Sequence, residues 1–237
     1  MEQIYTIPLN EAFDRSAADS SCGCPFCALS RKLEEDNLEL ILGASMMEPD
    51  VRIKTNKAGF CRAHYDRMFV RKNRLGLALM LESHLDGVKA EISKKSLIGT
   101  PGAAAQKRLD ELAGSCYLCE RIEFSLSKML ETAVYLYDTD STFAKKLTLQ
   151  PYFCLPHYRR LIALGKAKLS KKAYAAFYED ISRVVGTYFE SLCGDIKHFI
   201  KKFDYRYEDE PWGNSKDSVE RAIKFTEGDI HVSDKDK

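Results

Sequence analysis

Apolar residues recur at helical intervals along most of this chain, and few segments alternate between apolar and polar residues. The stripe that follows Cys27 includes Leu33, Leu40 and Ile41 and stops near Gly43. Comparable stripes predict helices over 62–94, 103–113, 120–137, 155–164 and 170–203. The helix over 62–94 is expected to bend at Gly76. The pattern therefore predicts an all-α fold.

Three stretches interrupt the helical pattern. Residues 45–60 contain Pro49 and Gly59, and residues 143–153 follow the turn sequence DTDST, so both are interpreted as connections. The run KKSLIGTPGAA over 94–104 is rich in glycine and marks a boundary. We therefore expect a first repeat over 1–95, a second repeat over 103–205 and a C-terminal tail with a short helix over 206–237.

Paired cysteine motifs support this duplication. CPFC over 24–27 is followed, after thirty-three intervening residues, by CRAH over 61–64. CYLC over 116–119 is followed, after thirty-four, by CLPH over 154–157. The wider frames FCRAHYDR and FCLPHYRR share Phe, Cys, His, Tyr and Arg in register. The order CxxC, helix, CxxH, helix thus occurs twice.

The paired motifs of each half carry three cysteines and one histidine, which is the ligand set of a Cys3His zinc site. Two cysteines three residues apart can direct both sulfur atoms at one ion, and a CxxH at a helix start places both ligands on one face. Four protein ligands leave no open position for water, so such a zinc site is structural. The predicted ligands of two zinc ions per chain are Cys24, Cys27, Cys61, His64, Cys116, Cys119, Cys154 and His157.

The matched separations favour closure of each metal site within its own half, CPFC with CRAH and CYLC with CLPH. A swapped pairing of CPFC with CLPH stays open, because the entropic cost of loop closure grows slowly with length. A dithiol or disulfide role lacks the βαβ pattern of redox proteins and leaves the CxxH motifs unexplained. Iron–sulfur ligation normally requires four cysteines. Zinc is therefore the favoured metal, and iron is the alternative.

The other candidate residues fit simpler interpretations. Cys22 has Gly114 at the matching position of the second half, so it is expected to be a spare thiol. Cys193 lies among apolar residues and is expected to pack in the core. His84 falls on an apolar stripe and is expected to be a buried, hydrogen-bonded histidine. No nucleophile motif or phosphate-binding glycine loop is present, so we expect a protein that is not an enzyme.

Composition and charge narrow the function classes. Eight cysteines without a secretion signal indicate the reducing cytoplasm, and no run approaches about eighteen apolar residues, so no membrane segment is expected. A net charge of +1 argues against a wholly basic nucleic-acid binder. Even so, residues 51–74 contain eight Lys or Arg and one acid, and residues 155–172 contain six and no acid. These runs predict either related basic surfaces for nucleic acid or another polyanion, or ion-pair partners for acidic stretches such as 34–39.

The segments IYTIPLNEAFD, CPFC, SMMEPDVRIKTNKAGFCRAHY, FCLPHY and KFDYRYEDEPWG resemble an uncharacterised bacterial family, found mostly in Firmicutes, over nearly the whole chain. The resemblance implies that the paired motifs are family hallmarks, and it implies no established activity. From the residues we favour a zinc-binding structural protein that binds an unknown protein partner. The alternatives are a nucleic-acid or polyanion-binding module and a thiol–disulfide redox protein.

Overall fold

Helices dominate the computed structural model, which describes residues 3–94 and 100–229. Within these ranges there is no β-strand, so the prediction of an all-α fold is confirmed. The described helices are α1 (Thr6–Ala18), α2 (Pro25–Leu42), α3 (Pro49–Ala58), α4 (Arg62–Val70), α5 (Arg74–Ile92), α6 (Ala103–Gly114), α7 (Tyr117–Thr139), α8 (Ser141–Thr148), α9 (Leu155–Lys168), α10 (Lys171–Lys201) and α11 (Ser218–Glu227). None of these helices is both long and apolar enough to cross a membrane.

Helices α3 and α8 occupy stretches that the sequence pattern assigned to connections, so those two assignments are wrong. Pro49 is the first residue of α3, where its missing N–H removes no helical hydrogen bond and its fixed φ suits the helix. Asp140 caps α8, because its Oδ1 accepts hydrogen bonds from the N–H groups of Thr142 at 2.8 Å and Phe143 at 3.3 Å. Both helices are shorter than about three turns, so neither is long enough to show a sustained apolar period. The residues at their N-termini are therefore the better sequence signal for these helices.

The single helix predicted over 62–94 is divided into α4 and α5, with the break at residues 71–73. Asn73 caps α5, since its Oδ1 accepts a hydrogen bond from Gly76 N–H at 2.9 Å. The predicted bend at Gly76 is therefore wrong. This glycine is buried, and a Cβ on it would lie 2.6 Å from the Met46 sulfur, so its role is close packing.

The chain forms two compact units whose bounds differ from those of the predicted repeats. A continuous unit spans Lys32–Ser125, and a split unit combines residues 1–31 with residues 126–237. The chain passes from one unit to the other within α2 and again within α7. The short helix expected in the tail is α11. The linker predicted over 94–104 falls partly on residues 95–99, which lie outside the described ranges.

Aromatic side chains form the core of the split unit. Phe13 of α1 packs edge-to-face on Phe26 of α2 with ring centres 5.4 Å apart, and it lies 5.0 Å from Phe143 of α8. Phe26 also lies 6.0 Å from Phe153, the residue directly before Cys154. All four rings are fully buried, and each such side chain stabilises the fold by roughly 1.5–3 kcal/mol. This packing holds the start of α2 beside the start of α9.

The continuous unit has a core of aliphatic side chains. Leu38 and Leu42 of α2 cluster with Met68 of α4, Met80 of α5 and Leu118 at the start of α7. Helices α3 and α6 pack against α5. Because burial of apolar surface is the main favourable term in folding, this cluster is what brings α4 and α7 together.

Candidate metal centres

The first candidate metal centre lies in the split unit and combines the CPFC and CLPH motifs. The ligand atoms of Cys24, Cys27, Cys154 and His157 all lie within 4.8 Å of one another. Helix α2 begins directly after Cys24, so Cys27 falls in its first turn. Cys154 directly precedes α9, and His157 lies in the first turn of that helix. Two helix starts therefore supply all four side chains.

Short distances separate these ligand atoms. Sγ of Cys27 lies 3.5 Å from Sγ of Cys154 and 3.6 Å from Nδ1 of His157. The same nitrogen lies 3.7 Å from Sγ of Cys24 and 3.0 Å from Sγ of Cys154. A disulfide bond has an S–S length of about 2.05 Å, so Cys27 and Cys154 are two free thiols facing one shared point.

The second candidate centre lies in the continuous unit and repeats this design with CRAH and CYLC. Cys61 and Cys116 directly precede α4 and α7, while His64 and Cys119 lie in the first turns of those helices. Nδ1 of His64 lies 3.2 Å from Sγ of both Cys61 and Cys116, and 3.5 Å from Sγ of Cys119. Sγ of Cys61 and Sγ of Cys119 are 3.9 Å apart.

Both centres have the dimensions of a tetrahedral metal site. With zinc–sulfur bonds of about 2.3 Å and zinc–nitrogen bonds of about 2.05 Å, a tetrahedron places sulfur atoms about 3.8 Å apart and sulfur about 3.6 Å from nitrogen. The sulfur–sulfur contacts here are 3.5 and 3.9 Å, and the sulfur–nitrogen contacts run from 3.0 to 3.7 Å. Each cluster could therefore hold one metal ion with four protein ligands.

The pairing of the motifs contradicts the sequence-based expectation that each metal site closes within its own half. Each CxxC instead lies beside the CxxH of the other half. Phe26 of CPFC packs 5.6 Å from the ring of His157, and Tyr117 N–H of CYLC donates a hydrogen bond to the Gly59 carbonyl at 3.0 Å. Contacts between the motifs thus decide the pairing, because shorter loops would have lowered the entropic cost only slightly.

Exposure distinguishes the two centres. In the first, all four ligand residues are at most 1% exposed, and Asp229 N–H donates a hydrogen bond to Sγ of Cys27 at 3.3 Å. In the second, two ligand residues are buried, but Cys61 is half-buried and Cys119 is exposed. Solvent and reagents therefore reach the second centre more easily.

Burial opposes ionisation of the thiols in the first centre. It raises the pKa of Cys24 from 9.0 to about 12. A hydrogen bond with Cys24 lowers the pKa of Cys154, but the neighbouring Cys27 and burial outweigh it and raise that pKa to about 12. Three thiolates cannot share this space without a nearby positive charge. A bound dication would supply that charge and displace the protons.

In the second centre, a histidine and a thiol favour each other's charged forms. Burial lowers the pKa of His64, but the close contacts with the Cys116 sulfur and the Glu34 carboxylate outweigh it and raise the pKa to about 10. Burial raises the pKa of Cys116, but His64 outweighs it and lowers the pKa to about 6. Metal binding at Nδ1 of His64 therefore requires this histidine to lose a proton.

Comparison with known proteins identifies a family. The model of a family of unknown function, DUF6062, matches residues 1–233. The chain belongs to this family. No curated protein and no solved structure matches it. Both candidate centres of this DUF6062 member lie within the matched range, and its expected bacterial origin stays a prediction.

One residue beside the second centre was not predicted from the sequence of this DUF6062 protein. Glu34 of α2 is only 3% exposed, and its Oε1 lies 3.2 Å from Nε2 of His64. Its Oε2 lies 2.6 Å from Nη1 of Arg67. The sequence does contain a signal, because Glu34 precedes the buried residues Leu38 and Ile41 by four and seven positions and so shares their face of α2.

The remaining candidate thiols and histidine of the DUF6062 chain stay outside both centres. Sγ of Cys22 lies 3.8 Å from Oδ2 of Asp19. Cys193 is exposed, so the expectation that it packs in the core is wrong: its position on α10 faces solvent although its neighbours in sequence include apolar residues. His84 is half-buried, and its Nδ1 lies 2.8 Å from the Asn56 carbonyl, as expected of a hydrogen-bonded structural histidine.

The two basic runs do not present equivalent surfaces. In the run over 51–74, three arginines form ion pairs: Arg62 with Asp66, Arg67 with Glu34, and Arg71 with Glu35. In the run over 155–172, four exposed lysines form no ion pair with any described residue: Lys166, Lys168, Lys171 and Lys172. Pairing within the fold thus accounts for part of the first run, whereas the four unpaired lysines of the second run lie at the corner between α9 and α10.

Proposed function

We propose that this protein is a non-enzymatic helical scaffold stabilised by two structural zinc ions, one in each candidate centre. The observation that carries the proposal is the presence of two separate groups of three cysteines and one histidine, each with ligand atoms within 4.8 Å of one another. Three thiolates and an imidazole suit Zn²⁺ in a tetrahedron. The proposed ligands are Cys24, Cys27, Cys154 and His157 in one centre, and Cys61, His64, Cys116 and Cys119 in the other.

Zinc would act here by tying together segments that are distant in the sequence. In zinc-finger peptides the metal contributes about 10–16 kcal/mol of apparent free energy, which is comparable to the net stability of a typical domain. Because four protein ligands fill a tetrahedral shell, no position remains for a reactive water. The centres therefore support a structural role and not metal-assisted hydrolysis.

An unidentified protein partner is the expected ligand of this scaffold. Large apolar side chains near the end of α10 support this: Ile200, Phe203 and Tyr205 are 65%, 75% and 85% exposed. Clustered exposed apolar groups are typical of protein–protein contact sites. Reduced thiols at both centres fit a cytoplasmic location, where disulfides are rare.

A polyanion, such as nucleic acid, is the second candidate partner, and the lysine corner between α9 and α10 is the observation that favours it. Four exposed lysines lie within seven residues there, and the nearest acid further along α10 is Glu179. Gly165 and Phe177 pack tightly where α9 meets α10, since a Cβ on the glycine would lie 2.7 Å from the ring. The tight packing of α9 on α10 therefore fixes the helix ends that carry these lysines, which supports a cationic surface at this corner.

We also propose that the chain contains two copies of one ancestral unit, residues 1–95 and residues 103–205. Their motifs share spacing and local frames, and both centres use the same arrangement of helix starts. In this interpretation, the CxxC motifs were exchanged between the copies while residues 206–237 were added as a tail. Intramolecular exchange of this kind parallels domain swapping between protomers.

Elemental analysis of untagged protein, purified under reducing conditions, tests the zinc assignment. We expect two zinc ions per chain. Iron with visible absorption, or metal-free protein with intact thiols and an unchanged fold, contradicts it. A reversible dithiol–disulfide change between the CxxC cysteines would instead support the redox alternative, and binding to a labelled oligonucleotide that weakens steeply with salt would support the polyanion alternative.

A further inference from the structure

A buried carboxylate faces the histidine ligand of the second centre. Oε1 of Glu34 and Nε2 of His64 are 3.2 Å apart, and neither atom has another hydrogen-bond partner among the described residues. Their contact does not have the alignment of a full hydrogen bond. On its other side Glu34 contacts Arg67, which follows His64 by three residues on α4. The carboxylate thus touches two neighbouring side chains of the helix that carries the metal ligand.

Burying this carboxylate is costly, because a charge removed from water loses its hydration even when it is paired. A surface ion pair could connect α2 with the end of α4 at lower cost, and one already does. Glu35 and Arg71 form such a pair at 2.6 Å with the carboxylate side chain 55% exposed. Because the Glu35–Arg71 pair already connects these helices, a second ion pair there would not require a buried carboxylate. The buried position of Glu34 differs in that it brings the carboxylate into contact with His64.

We propose that Glu34, held in place by Arg67, is a positioning residue for the second metal centre. Its Oε1 accepts a hydrogen bond from Nε2–H of His64 when the metal is bound, and it thereby keeps the lone pair of Nδ1 directed at the metal. This inference rests on the proposed zinc centres. Nδ1 is the metal-facing nitrogen, since it lies within 3.5 Å of all three sulfur atoms. Histidine ligands commonly donate their other N–H to a carboxylate, which fixes the tautomer and strengthens the ligand.

The corresponding position of the duplicated pattern is apolar. Glu34 follows Cys27 by seven residues, and Leu126 follows Cys119 by the same number. Leu126 is 3% exposed, so a leucine is accommodated at this place on α7. Glu34→Leu is therefore a substitution for which the chain itself supplies a precedent.

Cadmium NMR of the full chain tests this role, because cadmium binds thiolate–imidazole sites and gives one signal for each centre. We compare wild type with E34Q, E34L and the control E35Q, which removes the charge of the exposed neighbour. Both substitutions of Glu34 are expected to shift one of the two signals and to weaken the binding of one of the two ions by roughly 10–100-fold. E35Q is expected to leave both signals and both affinities unchanged.

Two outcomes overturn the inference. One is wild-type cadmium affinity with unshifted signals in E34Q and E34L. The other is a lower melting temperature with both signals unshifted, which shows that Glu34 only stabilises the fold. A wild-type protein that binds no metal at all would be a different result, since it would refute the zinc centres themselves.

Discussion

Sγ of Cys27 lies 3.5 Å from Sγ of Cys154, a contact between residues separated by 127 positions in the sequence. It joins the first CxxC motif of the chain to its last CxxH motif. The second centre uses only residues between these two, from Cys61 to Cys119. Each centre closes a loop of the chain. In the sequence, the loop closed by the second centre therefore lies inside the loop closed by the first, in a nested order, and the two loops do not follow one another.

Substitution of single cysteines should separate ligands from spare thiols. Cys27→Ser and Cys154→Ser are each expected to lower the zinc content from two ions to about one, because both residues belong to the first centre. Cys22→Ser and Cys193→Ser should keep two ions, since neither residue lies in a cluster. Zinc is measured by elemental analysis of each purified variant. Two retained ions in Cys154→Ser would show that the ligand assignment is wrong.

Fragments should reveal the nested order. A fragment over 32–125 contains all four ligands of the second centre and is expected to bind one zinc ion tightly. A fragment over 1–95 contains the CxxC of one centre and the CxxH of the other, so it should bind zinc far more weakly. Competition with a chromophoric chelator measures both affinities. Tight binding by 1–95 alone would restore the pairing of each motif within its own half.

The second centre should lose its metal first under oxidation. A peroxide can convert an exposed thiolate to a sulfenic acid, and a second thiolate then displaces hydroxide to form a disulfide. Cys119 is exposed and lies 3.9 Å from the half-buried Cys61, whereas the thiols of the first centre are buried. We expect the first equivalent of zinc to be released with modification of Cys119, as followed by a zinc dye and peptide mass spectrometry. Earlier modification of Cys24 would contradict the difference in exposure.

Metal-free and zinc-bound protein should respond to pH with opposite sign. In metal-free protein the pKa of Cys24 is raised from 9.0 to about 12, so the folded state holds protons that the unfolded state loses. Its stability should therefore fall as pH rises from about 9 towards 12. In zinc-bound protein the ligands are thiolates, whereas unfolded thiols are protonated at pH 7, so stability should fall as pH decreases below about 8. Melting temperatures across roughly pH 6–11, with zinc and with chelator, check both directions.

The sequence predicted the helical fold and the two sets of motifs because both depend on local spacing. Helix α10 has a long apolar period, and the apolar pattern that begins at residue 62 placed Cys61 and His64 at the start of a helix. The short helix α8 was not predicted, because it contains only two buried residues and so has no long apolar period. Its clearest sequence signal is the side-chain cap at Asp140.

The pairing of the motifs could not be predicted from spacing. It depends on contacts between distant segments, such as Phe26 with Phe153, which no local pattern encodes. The role of Glu34 was hidden for a related reason. Its carboxylate was expected only as an ion-pair partner of a basic run, and the position of α4 shows that it also faces His64.

The nested order of the two centres determines how the protein would respond to mechanical force. If the chain were pulled from both ends, tension would pass through the first centre, where residues 24–27 meet residues 154–157. The metal there would act as a cross-link that carries the load past the loop it encloses. The continuous unit, from Lys32 to Ser125, lies within that loop and would stay unloaded until the first centre ruptured.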